Sequence, residues 1–214
     1  MKSKIQSLKN GNKKTVIKKL FLTAAVAVSS LTFAQQFGAK AGMNVSTISD
    51  EGFDDTKSKV GYYAGVFMNV PVSESFSIQP EVLYNNLGSK VSSTVLGTTY
   101  SSTLNLDYVA VPVMFQYKAT PQFYLEAGPE FGFLVNAKQK FDNGSSSIVT
   151  ELDKEDFNSF NMGVGLGLGF DISKNVGLNA RYVAGFSDIT KKSGPAADAK
   201  NKNNAFQVGL NIKF

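Results

Sequence analysis

From Phe206 to Phe214 the chain alternates without a break. Phe206, Val208, Leu210, Ile212 and Phe214 fall on one side, and Gln207, Gly209, Asn211 and Lys213 on the other. A period of two is the signature of a strand with one apolar face. The same pattern recurs upstream. Phe37, Ala39, Ala41, Met43 and Val45 oppose Gly38, Lys40, Gly42, Asn44 and Ser46, and Phe123, Leu125, Ala127, Phe131 and Phe133 oppose Tyr124, Glu126, Gly128, Glu130 and Gly132. Val176, Leu178, Ala180, Tyr182 and Phe186 oppose Asn179 and Arg181. In the segment FNMGVGLGLGF, four glycines (163, 165, 167, 169) alternate with Val164, Leu166, Leu168 and Phe170. The pattern predicts eight strands, at 37–46, 59–70, 76–88, 103–117, 123–138, 157–172, 176–187 and 204–214. No long segment after residue 34 carries the 3.6-residue period of an amphipathic helix.

The connections alternate in length. Long segments (TISDEGFDDTKS, SKVSSTVLGTTYSS, QKFDNGSSSIVTELDKED and DITKKSGPAADAKNKNN) follow strands 1, 3, 5 and 7, and short ones (PVSES, ATPQ, SKN) follow strands 2, 4 and 6. In an up-and-down barrel this puts every long loop at one end and every tight turn at the other, the arrangement of an outer-membrane barrel. The fold expected is therefore all-β: an eight-stranded antiparallel up-and-down transmembrane β-barrel.

Which face turns inward follows from the charges. They share their side with the glycines, which relieve crowding in a barrel barely wide enough for side chains. The apolar side is continuous, with Phe37, Phe76, Phe123, Phe157, Phe160, Phe186 and Phe214 near strand ends, where aromatic girdles meet the two interfaces. Two details resist the pattern. Pro80, Pro112 and Pro129 each remove a ladder donor within a strand. Leu104 and Leu106 are out of phase with Val109, Val111, Val113 and Phe115, which suggests a bulge in strand 4.

Charge changes the picture in one respect. The 22 basic and 17 acidic residues give +5, but seven of the lysines (2, 4, 9, 13, 14, 18 and 19) lie in the first 34 residues, which hold no acid. Without them 15 basic groups face 17 acidic ones, so the basic balance belongs to the amino terminus and nucleic acid is not an expected partner. The lysines precede the apolar run LFLTAAVAVSSLTF, and Thr32 and Ala34 occupy the positions a signal peptidase reads. Residues 1–34 are expected to be a cleaved signal peptide and 35–214 the barrel domain.

Candidate chemistry is sparse. The chain has no His, Cys or Trp. A Ser-His-Asp arrangement and His- or Cys-based metal sites are thus unavailable. The run GVGLGLG lacks the spacing and following helix of a dinucleotide loop. No catalytic residue, cofactor or metal site is assigned. Glu126 and Glu130 lie roughly 13 Å apart along one face. With Glu81 they are expected to pair with Lys40, Arg181 and Lys213 in an interior charge network that fills the lumen, since buried charges persist mainly when paired. Specificity is left to the loops. The first is acidic (Asp50, Glu51, Asp54, Asp55), as is the third (Asp142, Glu151, Asp153, Glu155, Asp156), without the spacing of an EF-hand. The fourth is basic (Lys191, Lys192, Lys200, Lys202) and suited to anionic groups of lipopolysaccharide.

The segments FGAKAGMNVS, FSIQPEVLYNNLG, LDYVAVPVMFQYKA and FYLEAGPEFGFLV resemble the outer-membrane β-barrel domain family of Bacteroidota, often labelled porin family or PorT-like, over essentially all of 37–214. The terminal Phe214 is similar to the carboxy-terminal signal read by the barrel-assembly machinery. One departure is Ala110 in YVAVP, where the family often carries an acid. The resemblance implies an outer-membrane location, contact with membrane lipid and lipopolysaccharide, and a non-enzymatic structural or surface-interaction role. The alternatives are a narrow porin-like channel and an accessory part in protein secretion. It names no other protein partner.

Overall fold

The computed structural model describes residues 35–49, 58–189 and 201–214. The expected signal peptide, the acidic loop 50–57 and residues 190–200 of the basic loop lie outside them. Nine strands form among the described residues: β1 (Gln36–Ser49), β2 (Lys59–Pro71), β3 (Phe76–Val95), β4 (Thr98–Lys118), β5 (Phe123–Asp142), β6 (Ser147–Glu151), β7 (Phe160–Asp171), β8 (Val176–Asp188) and β9 (Lys202–Lys213). The order β4-β3-β2-β1-β9-β8-β7-β5 closes through a β4–β5 pairing, giving a ring of eight antiparallel strands with β6 hydrogen-bonded outside it to β5. Every ring neighbour is also a sequence neighbour once β6 is set aside, apart from the β1–β9 closure.

The barrel is inverted relative to a soluble one. Leu166, Leu168, Phe170, Val208, Leu210 and Ile212 are exposed on the outer wall, and Lys40, Asn44, Glu81, Glu126, Asn179, Arg181, Gln207 and Asn211 are buried within. The glycines of β7 point inward, and Gly163, Gly165 and Gly169 are buried. Large apolar groups on a lipid-facing wall gain from the acyl chains what core residues gain from one another, while the interior must satisfy its polar groups internally.

The interior is not polar throughout. Toward the end with the long connections, Leu87, Leu106, Tyr108, Ala137, Phe157, Ile189 and Ala205 form a buried apolar cap. This corrects two expectations. Phe157 belongs to the cap and not to an outer girdle, and β7 starts later, at Phe160. Leu104 and Leu106 need no bulge in β4, because they share the inward face with Tyr108 and Ala110 and the β3–β4 register is unshifted across them. The irregularity lies in β5, where Asp107 pairs with Asn136 and Tyr108 with Leu134, so Val135 is the extra residue. The prolines instead sit at gaps in the ladder. Registered pairing jumps from Phe67↔Glu81 to Val70↔Ile78 at Pro80, from Pro80↔Val113 to Leu83↔Ala110 at Pro112, and from Pro112↔Glu130 to Phe115↔Ala127 at Pro129.

Two long connections are sheet. Strands β3 and β4 continue past residue 88 to a two-residue turn at Leu96-Gly97, and β5 continues to Asp142 and folds back as β6. Both turn residues have positive φ (48° and 81°), as a type I′ hairpin requires.

Candidate functional site

The lumen is organised around Arg181, which projects from β8 and is 1% exposed. Its Nη1 and Nη2 donate to the two oxygens of Glu81 on β3 at 2.9 and 2.8 Å, and its Nε donates to Glu126 Oε1 on β5 at 2.7 Å. The planar fork of the guanidinium suits this two-sided grip. Lys40 of β1 donates to Glu81 Oε1 at 2.7 Å, as Gln79 Nε2 does at 2.8 Å, and Gln116 Nε2 donates to Glu126 Oε2 at 2.9 Å. Four strands besides that of Arg181 thus meet on one cluster.

The glycine ladder makes the space. A Cβ on Gly165 would stand 3.1 Å from Met114 Cε and 3.3 Å from Arg181 Cδ, and one on Gly167 would stand 3.0 Å from Glu126 Oε1. On Gly169 it would overlap the Tyr124 ring. Next to the cluster, Tyr63 Oη donates to Asn179 Oδ1 at 2.8 Å, Asn179 Nδ2 to Asn211 Oδ1 at 2.9 Å, and Asn211 Nδ2 to Tyr124 Oη at 3.0 Å. Toward the tight turns, Asn69 Nδ2 lies within reach of Ser77, Gln79 and Gln116 oxygens. Such a network lets the buried polar groups of the lumen satisfy one another.

Of the six charges singled out in the sequence, the structure brings Lys40, Glu81, Glu126 and Arg181 into one cluster. Lys213 is apart from it, donating to Asp171 Oδ2 at 2.6 Å near the tight turns. Glu130 is buried above the cluster and its Oε2 makes no hydrogen bond. Ala110, where the resembling family often carries an acid, lines the same cavity as Glu130. Phe214 donates its N–H to Phe37 O at 2.9 Å, closing the β1–β9 seam, and leaves its ring 77% exposed. Lys59 and Asp107 meet through Asn86, whose Oδ1 accepts from Lys59 Nζ and whose Nδ2 donates to Asp107 Oδ1. Three of the five acids of the third loop have local partners. Glu151 pairs with Lys138 at 3.3 Å and Asp142 with Lys140 at 3.7 Å, while Asp153 Oδ1 accepts from Glu155 N at 2.9 Å to cap a 3₁₀ turn.

Sequence reasoning missed the second site, the extended sheet of β3, β4, β5 and β6. Its registered rows Val91↔Ser102↔Phe141↔Ile148 and Ser93↔Tyr100 set Val91, Tyr100, Phe141 and Ile148 on one side, around a hollow of about 320 Å³. Lys90, Thr103 and Lys140 stand in register on the other side. The signal was available: Val91, Ser93 and Val95 alternate with Ser92 and Thr94, but serine and threonine read as loop.

Among solved structures the chain is similar to Ail, the attachment invasion locus protein of Yersinia pestis (14% identity, TM-score 0.48, covering 85% of this chain and 100% of that one). It is similar also to Neisserial surface protein A (13%, 0.44, 84% and 97%) and to OprG from Pseudomonas aeruginosa (13%, 0.41, 85% and 96%). No curated protein matches. The profile of the outer membrane protein beta-barrel domain matches residues 33–191, and the chain belongs to that family.

Proposed function

We propose that this outer-membrane barrel is a non-enzymatic surface-interaction protein whose working part is the sheet that β3, β4, β5 and β6 raise above the rim. The observation that carries the reading is the exposed apolar side of that sheet. Val91, Tyr100, Phe141 and Ile148 surround a hollow, and Leu96 stands at the tip wholly exposed in a left-handed conformation that an L side chain resists. A solvated sheet has no need of such groups. Among the described residues, strand β6 is exposed along its length and pairs only with β5, so its outer edge suits the addition of an extended polypeptide strand.

The alternation of tight turns and long connections supports a topology with the sheet outside the cell and both chain ends in the periplasm. The lysine-rich leader, expected to be cleaved after Ala34, fits export, and the outward ring of Phe214 fits a residue read by the assembly machinery before insertion. The lysines of the last loop favour lipopolysaccharide at the outer leaflet. The resemblance to Bacteroidota PorT-like proteins keeps an accessory part in protein secretion as the alternative. A filled lumen weighs against a solute channel, which reconstituted conductance would test.

The chain has no cysteine, so single cysteines report cleanly. A membrane-impermeant maleimide should label Leu96→Cys on intact cells and leave Thr120→Cys, in a tight turn, unlabelled. A photo-crosslinking residue at Tyr100 should then give a discrete adduct in living cells that one at Leu166 does not. Labelling of Thr120→Cys in place of Leu96→Cys would invert the topology, and absence of any adduct at Tyr100 would remove the partner.

A further inference from the structure

Between the Arg181 cluster and the apolar cap lies a cavity of about 20 Å³, lined among others by Asn85, Tyr108, Glu130, Asn161 and Asn203 and roofed by Leu87. These five side chains hold most of the unsatisfied polar atoms among the described residues: Asn85 Nδ2, Tyr108 Oη, Glu130 Oε2, Asn161 Nδ2, and both Nδ2 and Oδ1 of Asn203. Asn85, Tyr108, Glu130 and Asn203 are each more than nine-tenths buried. Buried polar groups nearly always have partners, because an unmade hydrogen bond costs the full desolvation of the group. Their convergence on one small space marks a site for a polar guest.

The charges indicate which guest. Around the lumen cluster three carboxylates (Glu81, Glu126 and Glu130) face two cations (Lys40 and Arg181). The hydrogen bonds of both cations go to Glu81 and Glu126. Lys59, at the start of β2, is matched to Asp107 of β4 through Asn86 of β3. Among the described residues Glu130 is left without an ion pair. A side-chain amide can present either its nitrogen or its oxygen to a ligand. The Asn85 oxygen is taken by Gln207 Nε2, so the cavity offers one carboxylate oxygen, a phenolic oxygen and up to two amide oxygens, from Asn203 and Asn161, a donor set for a hard cation. A single formal charge matches a monovalent ion better than a divalent one, and the volume admits one guest of about the size of water.

We propose that this cavity binds one monovalent alkali cation, sodium fitting its size, held by Glu130 Oε2, Tyr108 Oη and the side-chain oxygens of Asn203 and Asn161. The ion balances the lumen charge and joins the ionic cluster to the cap. The inference is independent of what the outer sheet binds.

The test uses the full barrel refolded into micelles in sodium, potassium or choline chloride at equal ionic strength, because the cap covers the site once folded. Unfolding is read as the shift between heated and unheated bands on a gel. Sodium should raise the midpoint saturably over choline, and a concentration of a hundred times Kd should raise the folded-to-unfolded ratio about 100-fold. Glu130→Gln, which keeps the shape, should lose the sodium dependence. Tyr108→Phe should weaken it several-fold and decides the matter, together with sodium-23 line broadening on the wild-type protein, if Glu130→Gln fails to fold. Equal midpoints in sodium and choline, or an undiminished sodium effect in Glu130→Gln, would overturn the proposal. So would a barrel in choline that gains its stability only on acidification, which would mean a proton on Glu130 and a bound water instead.

Discussion

Replacing Arg181 with methionine tests whether the lumen cluster holds the barrel together. The side chain makes three charge-assisted hydrogen bonds, two to Glu81 and one to Glu126, at 2.7 to 2.9 Å. At about 1.5–3 kcal/mol each, their gross contribution is roughly 5–9 kcal/mol. Not all of it is lost, because Glu81 keeps Lys40 and Gln79 while Glu126 keeps Gln116. What remains is the cost of leaving Glu126 buried without a cation, since the Lys40 ammonium is held by Glu81, and removing one member of a buried ion pair typically costs about 3–5 kcal/mol. We expect Arg181→Met to fall in that range by urea unfolding, followed by the band shift on unheated gels. Glu126→Gln should be milder. The double variant should be more stable than additivity predicts by about 1–3 kcal/mol, since each change removes the reason for the other's penalty. Adding Glu81→Gln should lose stability again, because it leaves the buried Lys40 ammonium without its partner. Arg181→Met within 1 kcal/mol of wild type, or an additive cycle, would refute the cluster as a source of stability.

Gly169→Ala places a methyl in the Tyr124 ring and should cost about 2 kcal/mol or more, or block assembly, as the yield of the heat-shifting band would record. Leu96→Asn relieves the positive φ at the hairpin tip and should stabilise the turn by about 1 kcal/mol; unchanged or faster proteolysis of the tip in the purified barrel would argue against strain there. Leu166→Arg, at mid-strand on the outer wall between Ala127 and Tyr182, should cost about 2–4 kcal/mol in a bilayer, and a neutral result would mean that this wall does not face lipid. Deleting Phe214 should lower the fraction of folded protein in the outer membrane while leaving unassisted refolding into detergent intact, which separates a biogenesis signal from a structural role.

The strands were legible because the physical demand is repeated at every second residue. Strand β9 must show lipid Phe206 to Phe214 and the lumen Gln207 to Lys213, so one face reports the other. Legibility ended where that demand ends. Beyond residue 88 the hairpin of β3 and β4 leaves the barrel ring, its serines and threonines need not alternate with apolar groups on both faces, and the segment read as loop. Leu104 and Leu106 misled for the opposite reason: the expected polar interior gives way to an apolar cap, so an inward leucine looked out of phase. Charge types foretold which residues would be buried, but not their grouping. Lys213 finds Asp171 across a neighbouring seam, and Glu130 misses the guanidinium, because partners depend on barrel register and not on spacing along one strand.

The prolines at 80, 112 and 129 have a mechanical consequence. They occupy neighbouring positions on three adjacent strands, since Pro80 pairs with Val113, next to Pro112, and Pro112 pairs with Glu130, next to Pro129. Each stands at a gap in the ladder, so one diagonal patch of the wall is stitched loosely to itself. Two of them directly precede Glu81 and Glu130. From Glu81 the guanidinium of Arg181 reaches across to the opposite wall. The bonds through the lumen act there as tie-rods, fixing the cross-section from within where the staves are least joined. A barrel braced in this way holds its rim to a constant outline, and the sheet above can vary in sequence without altering the frame on which it stands.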